Sequence, residues 1–289
     1  MLILHISLAI VAMAKKHILY IQFNTGEVGR LEQSSLRRTA GDIAQFSFIS
    51  AQLIGKVKID LMHDCDQVII GPAPLDFPEG LELNIAQFVD QLITTNYPTL
   101  GIGFGHLVLA EKFGFQIMRS QEYAEIDSVV EYQVRNPQAE ISPTFGIDLA
   151  EDKTDLVFHA YTNHYDSIVD GDRSQILITS SKSPYAAIAY SQKIFGVEFI
   201  PFVDQQVFPW WIRPYPDFWR NLKGFWQFKR ARNNRVLNRA IDWFTHKYLL
   251  TKEESDSEHS YQQHLKTQMQ DFDKAISVLR NFITKINKV

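Results

Sequence analysis

The stretch Tyr97-Pro-Thr-Leu-Gly-Ile-Gly-Phe-Gly-His106-Leu-Val-Leu-Ala carries the residue pattern with the most chemical content in this chain. A short apolar run ends at Gly101-Ile102, glycines recur at 101, 103 and 105, and an amphipathic helix is expected from His106 to Gly114. Strand, sharp turn and helix make a nucleophile elbow, whose turn lifts one side chain above a sheet and beside a helix N-terminus. The chemistry of such a site is covalent: a thiol or hydroxyl attacks a carbonyl carbon, and backbone N–H groups stabilise the oxyanion. The exposed position here is Gly103. Glycine accepts the positive φ of the turn but brings no nucleophile.

Cys65 is the only thiol, and it stands just before an expected strand at Gln67–Ile70. In a parallel sheet that placement is the end opposite the crevice where sites form, so a buried structural thiol is expected. His106 is expected to cap or pack at the start of its helix. His164 and Asp166 are expected to pair at a pocket rim, with a catalytic use of these groups left open. The nine histidines are scattered and show no close ligand spacing, so neither a metal nor a cofactor is expected.

Four segments together carry a resemblance. The 97–110 run resembles the Gly-x-Cys-x-Gly-His elbow of class I glutamine amidotransferase domains. Asp66-Gln-Val-Ile-Ile-Gly-Pro-Ala-Pro74 resembles the strand and glycine loop that form the family's oxyanion hole, with Ile70 and Ala73 where small residues or glycine are usual. Thr162-Asn-His-Tyr-Asp166 is similar to its Ser-His-x-Asp segment, and Gly196-Val-Glu-Phe-Ile-Pro-Phe202 to its Gly-Val-Gln-Phe-His-Pro-Glu segment. All four occur in the family's order between residues 16 and 205. The resemblance implies an α/β, flavodoxin-like fold with a mostly parallel central sheet. It also places the family's cysteine on Gly103, its histidine on Ile200 and its glutamate on Phe202. With all three roles lost, no catalytic residues remain, and the expected function is a catalytically inactive binding, regulatory or assembly subunit. Family members deliver ammonia to a synthase, so the resemblance implies a docking surface for such a partner. Gly71, Ala73, Phe104, His106, His164, Asp166 and Glu198 are the candidate pocket residues. Glu198 stands where the family has glutamine, and the alternative of a repurposed cleft using His106, His164, Asp166 and Glu198 stays open.

The elements that must hold these positions can be read from periodicity. A first strand is expected at Ile18–Phe23, a turn at Asn24-Thr-Gly-Glu, and helices at 33–45 and Leu81–Thr95. Further strands are expected at Thr99–Ile102, Ser128–Val134, Leu156–Ala160, Ile176–Thr179, Ala186–Tyr190 and Phe195–Phe199. Early strand–helix alternation indicates a parallel sheet, and the later strand-rich stretch added antiparallel pairing.

With 289 residues and 45% hydrophobic content, the chain can bury one α/β core and carry an appendage. Three parts are expected: a dispensable or misassigned extension at 1–14, the amidotransferase-like domain at 15–205, and a helical extension at 206–289. The apolar start lacks a basic region ahead of it and is too short to span a bilayer, and Met13 reads as a natural start. A single cysteine excludes an internal disulfide and suits a reducing compartment, so a cytoplasmic location is expected.

All five tryptophans lie beyond Asp204, and residues 206–250 hold nine basic against two acidic side chains. Trp210, Trp211, Trp219, Trp226, Arg230 and Arg232 are the candidate interaction surface, against a reading in which they only anchor the segment. No recognised motif supports nucleic-acid or membrane binding. Leu265, Met269, Phe272, Ile276, Leu279, Ile283 and Ile286 form a heptad seam. It is expected to dock on the preceding helix as a hairpin or to pair with a second copy as a homodimer.

Overall fold

The structure, a computed structural model, describes residues 15–56, 64–73, 81–119, 122–135, 157–204 and 272–287. Among these residues, nine strands form one sheet in the order β2-β1-β3-β4-β11-β10-β9-β6-β7. They are β1 (Lys16–Gln22), β2 (Ala44–Ser50), β3 (Gln67–Ile70), β4 (Thr99–Ile102), β6 (Glu125–Val134), β7 (Val157–His164), β9 (Ile176–Ser180), β10 (Ala187–Ala189) and β11 (Ile194–Val197). The pairings from β2 through β1, β3 and β4 to β11 are parallel, and those from β11 through β10, β9 and β6 to β7 are antiparallel. Two further strands, β5 (Gln116–Arg119) and β8 (Asp166–Asp170), pair antiparallel in a separate ribbon.

Helices cover both faces, which is why the central strands are apolar without alternation. Ile18, Tyr20, Ile69 and Leu100 face one layer with α1 (Gly26–Ala40) and α4 (Phe272–Lys285). Leu19, Ile21, Val68 and Ile70 face the other with α2 (Leu81–Thr94) and α3 (Phe104–Lys112). Both β3 and β4 occupy the expected residues, and α2 ends one residue before its expected limit. This is the α/β fold expected from the motifs.

The helix expected at 33–45 is displaced. Helix α1 runs from Gly26 to Ala40, so the expected turn is its entry, and Ala44–Ser50 is a strand. The buried side of α1 is Gly29, Glu32, Ser35, Leu36, Thr39 and Ala40; apart from Leu36 these are small or polar residues, so hydrophobic periodicity is a weak guide to it. Strand β2 has one neighbour and is mostly half-buried, so its pattern is weak as well.

The C-terminal seam finds its partner inside the domain. Phe272, Ala275, Val278, Leu279, Phe282 and Ile283 of α4 are buried against the sheet, whereas Ile276 is only half-buried. Each such large side chain contributes about 1.5–3 kcal/mol when fully buried. The Gln67 side-chain amide donates to the carbonyls of Phe282, Ile283 and Ile286 at 3.2, 3.1 and 2.6 Å, capping the helix C-terminus. Lys16 Nζ adds a bond to the Ile286 carbonyl at 2.7 Å, and Arg280 grips Asp42 with two 2.7 Å bonds. This face of α4 is therefore occupied by the sheet of the described domain, and the helix expected to pair with it in a hairpin lies outside the described residues. The earlier seam positions, the N-terminal extension and the Trp-rich segment with Trp210, Trp211, Trp219, Trp226, Arg230 and Arg232 lie outside the described residues.

Candidate functional site

The elbow is built where the parallel strands β3, β4 and β11 end. Gly103 caps α3 with φ 55° and ψ −108°, a backbone state that L side chains rarely adopt. Main-chain bonds hold it there: its N–H donates to the Val197 carbonyl at 2.8 Å, and its carbonyl accepts from His106 and Leu107 at 3.0 and 3.2 Å. The helix thus begins at Phe104, two residues before the expected start. Gly105 lies so close to β3 that a Cβ would stand 2.2 Å from the Ile70 carbonyl oxygen. A Cβ at Gly103, by contrast, would meet Pro72 Cβ at 3.3 Å and the Glu198 carbonyl oxygen at 3.8 Å. Only a few tenths of an ångström of give would seat it. The turn has room for a small side chain, and glycine supplies none.

The other two positions are filled with hydrocarbon. Ile200 and Phe202 are 4% and 0% exposed and belong to the core layer shared with α4. The Ile200 N–H donates to the Tyr161 carbonyl at 2.8 Å. In the loop after β3, the Gly71 N–H donates to the Ile21 carbonyl at 3.0 Å, and Asn24 Nδ2 holds the Pro72 carbonyl at 3.2 Å. Ala73 is half-buried, and Phe104 sets its ring edge-on to Phe23. Cys65 is buried ahead of β3, with its carbonyl accepting from Tyr97 at 2.5 Å, at the strand end opposite the elbow.

The two candidate histidines have different fates. His106 is 1% exposed; its Nε2 donates to the Tyr185 carbonyl, and its Nδ1 accepts from the Tyr190 hydroxyl, both at 2.9 Å. Burial pushes this imidazole down to about 4, against the smaller pull of the Tyr185 bond, so it is neutral at pH 7. Any Cβ at Gly196 would overlap its ring at 2.0 Å. His106 is a packed, satisfied core residue.

His164 does not pair with Asp166. Asp166 is engaged by Arg119 at 3.0 and 3.2 Å across the β5–β8 ribbon. His164 points instead into the core, where its Nε2 stands 3.3 Å from Glu198 Oε1 and 3.5 Å from Glu125 Oε2. All three groups are more than nine-tenths buried. Burial alone would lower the imidazole pKa, but the Glu198 and Glu125 carboxylates outweigh it and raise it to about 10. Burial likewise favours the neutral form of Glu198, yet the neighbouring imidazole holds its carboxyl below the usual range. The Tyr132 hydroxyl faces Glu198 Oε1 at 3.5 Å. Of the four groups weighed for a repurposed cleft, only His164 and Glu198 converge, and they do so beneath the surface.

Sequence reasoning missed Glu125. It lies directly across from His164 in the β6–β7 pairing, next to an irregularity in the register. A glutamate at a strand start has no local signature of burial; only the cross-strand partner reveals it.

A third buried carboxylate supports the loops of the crevice. Glu32 accepts from the Tyr20 hydroxyl, from Gln22 at 3.1 Å and from Asn24 at 3.5 Å. Burial raises it to about 7, despite these donors. Tyr20 in turn fills the space where a Cβ on Gly71 would stand.

Comparison with known proteins agrees with this architecture. The family model for class-I glutamine amidotransferases matches residues 42–202, more than half of the chain. A glutamine amidotransferase structure from Thermotoga maritima superposes with a TM-score of 0.58 at 16% identity, covering 93% of this chain and 99% of the other. One from Methylobacillus flagellatus gives 0.51 at 15% identity, covering 70% and 77%. No curated protein sequence matches the chain. At such identities the structural likeness carries the fold alone. Among the described residues, no helix is long and apolar enough to cross a membrane.

Proposed function

Because the chain belongs to the class-I glutamine amidotransferase family, we propose that it is a family member without glutaminase activity, used as a binding, regulatory or assembly subunit. One observation carries this reading: glycine, isoleucine and phenylalanine stand at 103, 200 and 202, the positions matched to the family's cysteine, histidine and glutamate. A thiol attacks an amide when a base converts it to thiolate, and that base needs a carboxylate to orient it. Among the described residues, none of the three roles has a substitute at the elbow. His106 is neutral and consumed by Tyr185 and Tyr190, and His164 is buried between two carboxylates.

A preserved elbow without a nucleophile still offers a shaped crevice, and a synthase-type protein partner suits the family's usual mode of action. The basic, tryptophan-rich segment at 206–250 has the sign and composition to meet an acidic partner surface. We place the protein in the cytoplasm, in keeping with the single cysteine.

The test is glutamate release by the purified full-length chain supplied with glutamine. No release above the buffer blank is expected. Introducing Gly103→Cys alone is expected to leave it inactive, since the thiol would lack its base. Release that scales with protein and changes in a His164→Asn variant purified in parallel, which a contaminating hydrolase would not follow, would overturn the reading.

A further inference from the structure

We propose that Glu125, His164 and Glu198 form a binding site for one divalent transition-metal ion of the zinc class. The three side chains come from the start of β6, the end of β7 and the residue after β11, and each can offer one donor atom within 4.8 Å of the others. Geometry favours a metal over a simple hydrogen-bonded triad. A charge-assisted N–H···O bond is about 2.7–2.9 Å long. Here one and the same nitrogen, His164 Nε2, faces oxygens of both glutamates at 3.3 and 3.5 Å. Tetrahedral coordination with bonds of about 2.0–2.2 Å sets neighbouring ligand atoms about 3.3–3.6 Å apart, which matches both separations. The remaining edge, between the two carboxylates, is no more than 4.8 Å.

Satisfaction of polar groups points the same way. Among the described residues, Glu125 Oε2 and both ring nitrogens of His164 have no hydrogen bond of good geometry, although each is buried. One imidazole N–H shared between two carboxylates makes only long three-centre bonds, whereas a central cation would engage Nε2 of His164 and one oxygen of each glutamate, leaving Nδ1 outside its shell. Charge also balances: two carboxylates and a neutral imidazole cancel a 2+ ion in a region where an unpaired charge is costly. One nitrogen and two oxygens suit zinc or a neighbouring first-row ion better than calcium or magnesium, which favour all-oxygen shells.

Burial makes this a clasp inside the protein. It would tie the β6–β7 pair to the segment after β11, whose Glu198 carbonyl flanks the elbow. The proposal is independent of the loss of glutaminase activity, because none of its ligands is a matched triad position.

The experiment is to produce the full-length chain in medium supplemented with zinc or cobalt, desalt it into chelator-treated buffer, and measure bound metal by mass spectrometry. About one equivalent per chain is expected. The cobalt form should show the strong visible absorption of tetrahedral sites, and zinc-loaded protein should melt several degrees above protein grown under metal limitation. Glu198→Gln and His164→Asn should each lower occupancy at least tenfold, while Asp166→Asn should not. Should either variant fail to fold, X-ray absorption on the wild-type zinc form decides, with oxygen and nitrogen neighbours including one imidazole expected. Less than a tenth of an equivalent of any first-row metal in the wild type would overturn the proposal. So would unchanged occupancy in both folded variants, or sulfur or several imidazoles around the ion.

Discussion

The elbow at Gly103 and the buried group of Glu125, His164 and Glu198 are neighbours with opposite histories written in them. At the elbow a strained turn presents a glycine, with no ionisable or nucleophilic side chain; in the buried group the ionisable atoms are present but closed off from solvent. The difference shows what preserves each feature. Backbone geometry is held by main-chain bonds to Val197, His106 and Leu107 and by a close approach at Gly105, none of which depends on the side chain at 103. Buried charge has no such independence, because every member must be compensated by the others.

The comparison can be broken hardest at His164. In metal-free protein, His164→Leu leaves Glu125 and Glu198 facing each other without a cation, and a loss of about 3–5 kcal/mol in unfolding free energy is expected by urea denaturation. A loss below 1 kcal/mol would mean that the carboxylates find other compensation.

Next comes Gly105→Ala, whose Cβ would enter the Ile70 carbonyl at 2.2 Å. It is expected to cost about 3 kcal/mol in the same assay. Gly103→Ala meets only modest crowding, so it should cost about 1–2 kcal/mol from its positive φ. If the two ranked the other way, the elbow would not be held by the close approach at 105.

Glu32 sharpens the contrast between paired and unpaired burial. Its pKa is raised to about 7 in the folded state, from an ordinary value of 4.5. The unfolded chain then releases this proton before the folded one does, so its contribution to stability is fully present below about pH 4.5. It is lost as pH rises toward 7, by up to about 3 kcal/mol. Urea midpoints across pH 4–8 should show this fall, and Glu32→Gln should flatten it.

The smallest effect belongs to the surface. Arg280→Ala removes the paired bonds to Asp42, whose side chain is largely exposed, and should shift stability by no more than about 1 kcal/mol. A larger loss would show that α4 depends on this clamp more than on its apolar face.

Some of this was legible from residue order alone. Short apolar runs at 67–70 and 99–102 gave their strands to the residue, and the glycine spacing at 101, 103 and 105 disclosed the turn. Helix α1 was obscured because it buries Glu32, Ser35 and Thr39, which only Tyr20, Gln22 and the loop after β1 make tolerable. The ribbon of β5 and β8 was missed because exposed Ile117 and Met118 and the polar ends of both strands show no alternation. The seam near the C-terminus was visible as apolar spacing, but its partner was not.

Residue order by itself determined the strand–turn–helix at the elbow, because it depends on residues close together in the chain, and the family, because four short segments each carry their own local pattern. Tertiary structure alone decided that His164 meets Glu125 and Glu198 instead of Asp166, and that α4 caps its own domain through Gln67. Strand register and packing bring those groups together across tens to hundreds of residues, and no local pattern encodes a contact whose two halves are that far apart.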